Sequence, residues 1–338
     1  MIIINHPRVS IIILNWNGWR DTIECLQSLY AIKYSNYQVV VIDNGSTDNS
    51  NHEIERYLLN KESLDICFIN YKKNNIILKE TQKVYPVKKD DKFIKTIFIK
   101  NEMNYGFAEG NNIGIKYILG LNDSDYILLL NNDTIVHEDF LDELVSIAVE
   151  TKEIAFVGPK VYYYNYKGRK DILSFAGGCL NFYTATPTHI GDREIDNEKY
   201  DYIRDVDYLE GSCLLANIEA IKKIGLLDAS FFSYWEDTDW CIRARKKGFR
   251  AVYSPSSKIW HKVSTSSNKI SGLNQYYMVR NSILFTRKNA SKGQLIVFLI
   301  FFLLIKFWIL NIKYILIYHN LNINISIAKG AIDGFITN

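Results

Sequence analysis

Four short stretches of this chain combine side chains that could do chemistry. The densest is Trp235-Glu236-Asp237-Thr238-Asp239-Trp240, preceded by Phe232 and Tyr234. Three carboxylates at a helix start suit the positive end of the helix dipole, which is the generic reading. The aromatic residues around them suggest more. Rings of this kind pack against sugar faces, and a carboxylate held among them loses hydration. Its pKa then rises towards neutrality, where it can act as a general base. Asp239 stands four residues before Arg243, an ion-pair spacing, and so reads as structural.

The second stretch is Leu128-Leu129-Leu130-Asn131-Asn132-Asp133-Thr134. A carboxylate just past a buried strand can hold Mg²⁺ or Mn²⁺, which favour oxygen ligands and share them with phosphates. The alternative is a helix N-cap at Asp133 or Thr134. The third is the run VVVIDNGSTDNS, where Asp43 can accept hydrogen bonds from a base or a ribose. A plain turn with an N-cap at Ser46 or Asp48 explains it equally well. The fourth is His261, a packed core residue or a neutral imidazole completing a metal site begun by Asp133.

The elements that must carry these groups are legible from the apolar pattern. Val9 to Leu14, Gln38 to Ile42, Ile66 to Ile69, Ile97 to Ile99 and Tyr126 to Leu130 are short continuous apolar runs, the mark of strands buried on both faces. Helical spacing follows the first, second and fourth of them. Alternation of this kind predicts an α/β fold with a mostly parallel sheet wound on both sides. Ligands bind beyond the carboxyl ends of such strands, where the clusters Asn15–Asn17, Asp43–Asp48 and Asn131–Asp133 would share one rim. Residues 71–95 break the pattern with Lys-Asp clusters and read as an inserted excursion or hairpin.

Composition limits the class. Lys and Arg number 40 against 37 Asp and Glu, a near-balance that argues against a nucleic-acid partner. A mean hydropathy of −0.09 excludes a polytopic membrane protein. The five cysteines form no C-x-x-C pair, so buried free thiols in a reducing compartment are expected. No basic, apolar leader opens the chain, and a cytoplasmic location fits.

The last segment differs from the average. Gln294 to Tyr318 is almost wholly apolar and, as a helix, about 38 Å long, enough to span a bilayer. Lys306 and Lys313 share one face, with Asn320 continuing it. Such a stripe fits a helix lying at the lipid interface, with Trp308 and Tyr314 at headgroup level. Arg287, Lys288 and Lys292 would favour an anionic leaflet. A core helix or a dimer interface is the alternative. A spanning helix would bury Lys306 near the bilayer centre.

Taken in order, ILNWNG, VVVIDNGSTD, Asn104-Tyr105-Gly106-Phe107-Ala108 with Asn111-Asn112, LLLNNDT, Gly211-Ser212-Cys213, FFSYWEDTDWCIRARKKGFR and His261 form one series. It resembles the family 2 inverting glycosyltransferases, closest to the rhamnosyltransferase and galactofuranosyltransferase branch, over residues 8–290. The resemblance implies a GT-A catalytic domain over 1–290 and an apolar C-terminal region over 291–338. It implies a dTDP- or UDP-sugar donor, rhamnose among the candidates, and a saccharide acceptor, lipid-linked at the inner face of a membrane. Asn15, Asn17 and Asp43 would hold base and ribose, and Asn104 and Asn111 would line the nucleotide pocket. Asn131, Asn132 and Asp133 stand where the family carries its Asp-x-Asp motif. Asn131 ligates without supplying charge, so metal demand rests on Asp133, with His261 as second ligand. Asp237 would be the general base, with Glu236, Trp235 and Gly211 at the acceptor. Two other classes fit less well. A nucleotidyltransferase would need a basic Gly-rich loop after the first strand, and a non-catalytic glycan-binding module has Asn131 in its favour.

Overall fold

A computed structural model describes residues 6–72, 75–78, 94–263, 272–316 and 321–337. Its centre is the strand Val9–Asn15, flanked in parallel by Tyr37–Asp43 and Tyr126–Asn131. Ile94–Asn101 and then Leu64–Lys72 extend the parallel side. The apolar runs are buried on both faces because Trp19–Leu29, Ser50–Leu59 and Gly106–Leu121 pack as helices against the sheet. Asn15 pairs in register with Asp43, and Leu14 with Asn131, so the polar strand ends meet at one rim as topology requires.

The other half of the sheet changes direction. Cys213–Asn217 runs antiparallel between Tyr126–Asn131 and Ile154–Tyr163, and Arg250–His261 lies parallel to the latter. One local expectation fails here. Asp133 and Thr134 do not cap a helix: Thr134 begins a short strand, Thr134–Val136, that pairs antiparallel with Ile259–His261. The next helix, Phe140–Ala148, has Asp139 at its N-cap. This long-range pairing overrides the local capping signal and puts His261 opposite Thr134.

At the far edge, Asn75–Leu78 pairs antiparallel with Ile69–Lys72. The rest of the excursion expected at 71–95 lies outside the described residues from 79 to 93. Residues 1–5, which bear on a leader, and Asn320 also lie outside them. Ser46 caps no helix; the N-cap of Ser50–Leu59 is Asn49, while Asp48 Oδ1 accepts from the Ser50 amide at 2.9 Å. Cys25, Cys213 and Cys241 are buried, but Cys179 is exposed. It sits on a two-stranded hairpin, Gly178–Asn181 with Thr186–His189, where alternate side chains face outward.

The C-terminal helices are not an independent unit. Gly272–Asn289, Lys292–Leu316 and Leu321–Ile336 share a second apolar cluster with Phe231, Trp235 and Ile242. Ser291 and Gln294 form a capping box that starts the long helix. Gly330 lets Leu321–Ile336 lie against Gly272–Asn289, since a Cβ there would meet the Tyr276 carbonyl at 2.5 Å.

Candidate active site

The Glu236–Lys246 helix begins from an unusual turn. Phe232, Tyr234 and Trp235 have φ of 63°, 69° and 76°, a left-handed region that bulky residues rarely occupy. Each costs about 1–3 kcal/mol unless its surroundings impose it. They do. Asn281 is fully buried, and its Nδ2 lies 2.9, 2.8 and 2.9 Å from the carbonyls of Phe231, Ser233 and Tyr234. Its two amide hydrogens are shared among three acceptors. Arg280 Nη2 donates to the Ser230 carbonyl at 2.8 Å. From the other side, the Phe232 carbonyl accepts from the Phe107 and Ala108 amides at 2.6 and 3.2 Å. Those amides are otherwise unsatisfied at the start of Gly106–Leu121. Gly106, at φ 81°, is required there, because a Cβ would meet the Phe232 carbonyl at 2.5 Å.

The turn delivers Glu236 and Asp237 to a cavity of about 420 Å³, shared with Asn131, Asp133, Glu210 and His261. Asp237 Oδ2 accepts from the Gly211 amide at 2.8 Å, and Oδ1 accepts from the Thr238 amide at 2.6 Å. Burial raises the Asp237 pKa, and these amide bonds restrain the rise. Glu236 is only 4% exposed, and its Oε2 has no hydrogen-bond partner among the described residues. Burial and then the neighbouring Asp237 charge push its pKa well above the carboxylate range. Asp239 faces away. Its oxygens take Arg243 Nε and Asn289 Nδ2, each at 2.7 Å, which fits the structural role expected of it.

The aromatic wall is smaller than expected. Tyr234 and Trp235 line the cavity, whereas Trp240 is fully buried in the main core and donates to the Gly225 carbonyl at 2.8 Å. Phe232 stacks on Tyr277 instead. Phe107 and Tyr208 complete the wall. The Tyr208 hydroxyl has no hydrogen-bond partner among the described residues.

Asp133 Oδ1 and His261 Nε2 lie 3.0 Å apart and line the same cavity. Burial disfavours the imidazolium, but the Asp133 charge and hydrogen bond outweigh it and raise the His261 pKa. Among the described residues no three His, Cys, Asp or Glu side chains gather as a metal cage. One carboxylate and one imidazole still fit a divalent ion that draws its other ligands from phosphate oxygens, water or the Asn131 amide.

The remaining residues of the rim serve one another. Asp43 is fully buried; its Oδ1 accepts from Asn15 Nδ2 at 2.7 Å and the Ser46 hydroxyl at 2.6 Å, and its Oδ2 from the Ser46 amide at 3.0 Å. Asn15 Oδ1 accepts from Thr22 at 2.8 Å and from Asn132 at 3.3 Å. Asn17, at φ 54°, is exposed and takes the Thr47 and Asp48 amides on its side-chain oxygen. Asn104 Oδ1 accepts from Asn44 and the Gly106 amide, and Asn111 donates to the Phe107 carbonyl. Of the donor-side residues, Asn131 and Asp133 reach the cavity. The others build the rim beside it. Sequence reasoning missed Asn44, which bridges Asn101, Asn104 and Gly106. It also missed Tyr208, Glu210 and Asn281. Asn44 was signalled by its place in Asp-Asn-Gly, whereas nothing local marks Asn281.

Comparison with known proteins gives the class. Residues 77–275 match the profile described as glycosyltransferase like family 2, and residues 10–77 that of glycosyl transferase family 2. The chain belongs to this family. Low-salt glycan biosynthesis hexosyltransferase Agl10 of Haloferax volcanii is 26% identical over 202 residues, 58% of this chain and 62% of that one. The dTDP-rhamnosyl transferase RfbF of Shigella flexneri is 25% identical over 205 residues, 55% and 61%. Rhamnosyltransferase WbbL of Escherichia coli K12 is 30% identical over 161 residues, 46% and 61%. The matches thus span 61–62% of the length of these relatives.

Two solved structures share the fold. GalNAc-T7 with UDP, GalNAc and Mn²⁺ superposes with a TM-score of 0.59 at 13% identity, covering 84% of this chain and 48% of that one. A mannosyltransferase from Pyrobaculum calidifontis with GDP-Man and Mn²⁺ gives 0.57 at 11% identity, covering 98% and 88%. The architecture is GT-A.

Glu236 provides a test of the site's electrostatics. Its folded pKa is raised, so its stabilising contribution is complete below the unfolded value of about 4.5 and is lost as pH rises through the folded value. Gln carries no such loss. Glu236→Gln is expected to gain melting temperature relative to the parent protein as pH rises above the unfolded value of about 4.5, read by thermal unfolding from acid to neutral pH.

Proposed function

We propose that the protein transfers a sugar from a nucleotide-diphosphate donor to a hydroxyl of a saccharide acceptor, inverting the anomeric centre. The observation that carries this reading is Asp237. Its Oδ2 is held by the Gly211 amide in a cavity that Asp133 and His261 also line. A base and a phosphate-binding group lining one cavity suit a single displacement within it.

Asp237 is the general base. Its raised pKa makes it a better proton acceptor than an exposed aspartate, and the Gly211 bond leaves lone pairs on Oδ2 for an acceptor hydroxyl. The hydroxyl loses its proton as it attacks the sugar on the face opposite the leaving diphosphate. Glu236, whose burial favours its protonated form, would donate to the acceptor. Trp235, Tyr234 and Tyr208 offer ring faces to the sugars. Asp133 and His261 would hold a Mg²⁺ or Mn²⁺ ion, which when bound neutralises charge on the departing diphosphate. Asn131 lines the same cavity. Asn15, Asp43 and Asn132 set the rim on which Asn17 and Asn104 meet the nucleoside.

The names of RfbF and WbbL support rhamnose as the sugar and, for RfbF, a dTDP donor. A mycobacterial relative, 38% identical over 66 residues, is an N-acetylglucosaminyl-diphospho-decaprenol L-rhamnosyltransferase, which supports a lipid-linked acceptor.

A membrane surface would present such an acceptor. The helix Lys292–Leu316 is apolar on its outer side as well as its inner one. Ile296, Ile300, Leu304, Trp308, Ile312 and Leu316 recur every four residues, and each is more than half exposed. They form a ridge about 30 Å long. The inner side, including Phe298 and Phe302, is packed on the catalytic unit, so the helix lies on the bilayer and does not cross it.

Two experiments test this. Asp237→Asn is expected to lower kcat by about 10²–10⁴-fold with donor affinity unchanged; near-normal turnover would remove Asp237 from the mechanism. A Leu304→Glu, Ile312→Glu double variant is expected to leave anionic vesicles in a sedimentation assay while keeping its fold by circular dichroism. Undiminished binding would show that the ridge is not the docking face.

A further inference from the structure

Lys306 does not join the lipid-facing side of its helix. It sits in the π-helical turn Phe302–Lys306, and its ammonium donates to the carbonyls of Thr184 and Ala185 at 3.1 and 2.8 Å. Among the described residues it has no carboxylate within ion-pair distance. A cation held only by backbone carbonyls, beside the apolar side chains of Phe302 and Phe307, is a costly way to attach a helix. The contact therefore calls for a purpose other than stability.

The two carbonyls belong to the tip of the hairpin Gly178–Asn181 and Thr186–His189. Ala185 adopts φ 43° and is buried in the cluster that includes Trp235 and Phe285. The returning strand carries Pro187 and His189 to the cavity wall. The outgoing strand begins at Gly178, whose carbonyl accepts from the Asp207 and Tyr208 amides, and whose missing side chain leaves room for the Tyr208 ring. Tyr208 lines the same cavity. One hairpin thus places three cavity residues, and Lys306 grips its tip. On a helix, Leu304 and Trp308 stand two residues from Lys306 and so on the opposite side, which is the exposed ridge.

We propose that Lys306 is a positioning residue that couples lipid contact to the shape of the cavity: the helix touches lipid with one side and, through Lys306, holds the Pro187–His189–Tyr208 wall with the other. This rests on the membrane reading given above. Seating the ridge on a bilayer restrains the helix, and the restraint passes to the hairpin tip through two charge-assisted hydrogen bonds. The acceptor-side wall is therefore better ordered on the membrane than off it.

Hydrogen exchange on the full chain, with and without phosphatidylglycerol vesicles, tests the idea. In the parent protein, amides of residues 182–189 are expected to exchange about tenfold more slowly when vesicles are bound. Lys306→Met should still sediment with vesicles but lose this protection, and Lys306→Arg should restore it. If Lys306→Met keeps the full vesicle-dependent protection, or if the bound parent protein shows none, the coupling is wrong. If the parent protein fails to bind vesicles at all, the membrane reading falls. The grip itself is then judged by exchange without lipid, where Lys306→Met must be faster at 182–189 than the parent and equal rates overturn it.

Discussion

A primary amide buried far from the solvent sets the geometry of this site. Asn281 binds three carbonyls of a turn whose φ values L-amino acids avoid, and without those bonds the chain between Phe231 and Trp235 has better conformations available. The turn must adopt this form for two reasons. It aims the Phe232 carbonyl at the bare amides of the Gly106 helix, and it starts the Glu236 helix at the angle that brings Asp237 under the Gly211 amide. Three helices and one strand end therefore meet on a few residues, and the carboxylates inherit their position from that junction. Strain at the turn is compensated by the helix Gly272–Asn289, which in turn packs on the C-terminal helices.

The Asp133–His261 pair rests on a different constraint. The strand Arg250–His261 ends beside Thr134 because of sheet pairing, so His261 reaches Asp133 from 128 residues away. The rim is stiffened by amides and carboxylates that satisfy one another: Asn15 with Asp43, Asn132 with Asn15, Asn44 with Asn104. A rim of this kind keeps its shape without a ligand. Burial then separates the two adjacent carboxylates at the helix start by environment: Asp237 keeps amide donors, and Glu236 has an oxygen with none among the described residues. Two adjacent acids with different needs can take different parts in one reaction.

Much of this was legible in the sequence because the signals were local and strong. Five buried runs foretold the parallel centre of the sheet, and their polar ends foretold the rim. The cluster Glu236–Asp239 stood out by its carboxylates and aromatic neighbours, and the family resemblance singled out Asp237 within it. The failures share a cause. Asp133, taken alone, read more readily as a helix cap, because the strand that claims Thr134 lies far along the chain. Trp240 looked like part of an aromatic wall, but one helical turn beyond Glu236 it faces the sheet and packs on Phe156. Lys306 and Lys313 shared a face on paper, yet Lys306 turns in to the hairpin and Lys313 stays outside. Asn281 lies 48 residues beyond the Ser233 carbonyl it holds, and Asn is common enough in helices of this chain to pass unnoticed. Periodicity reports which side of an element is apolar; it does not report which remote backbone a polar side chain will meet.

The central claim is that one carboxylate, Asp237, drives a single displacement across this cavity. The configuration of the new glycosidic bond tests it most directly. Proton NMR of the product made from a nucleotide sugar of known anomeric configuration should show the opposite configuration at the transferred sugar. Retention would contradict the account, because it requires a second displacement and a nucleophile that the mechanism does not contain.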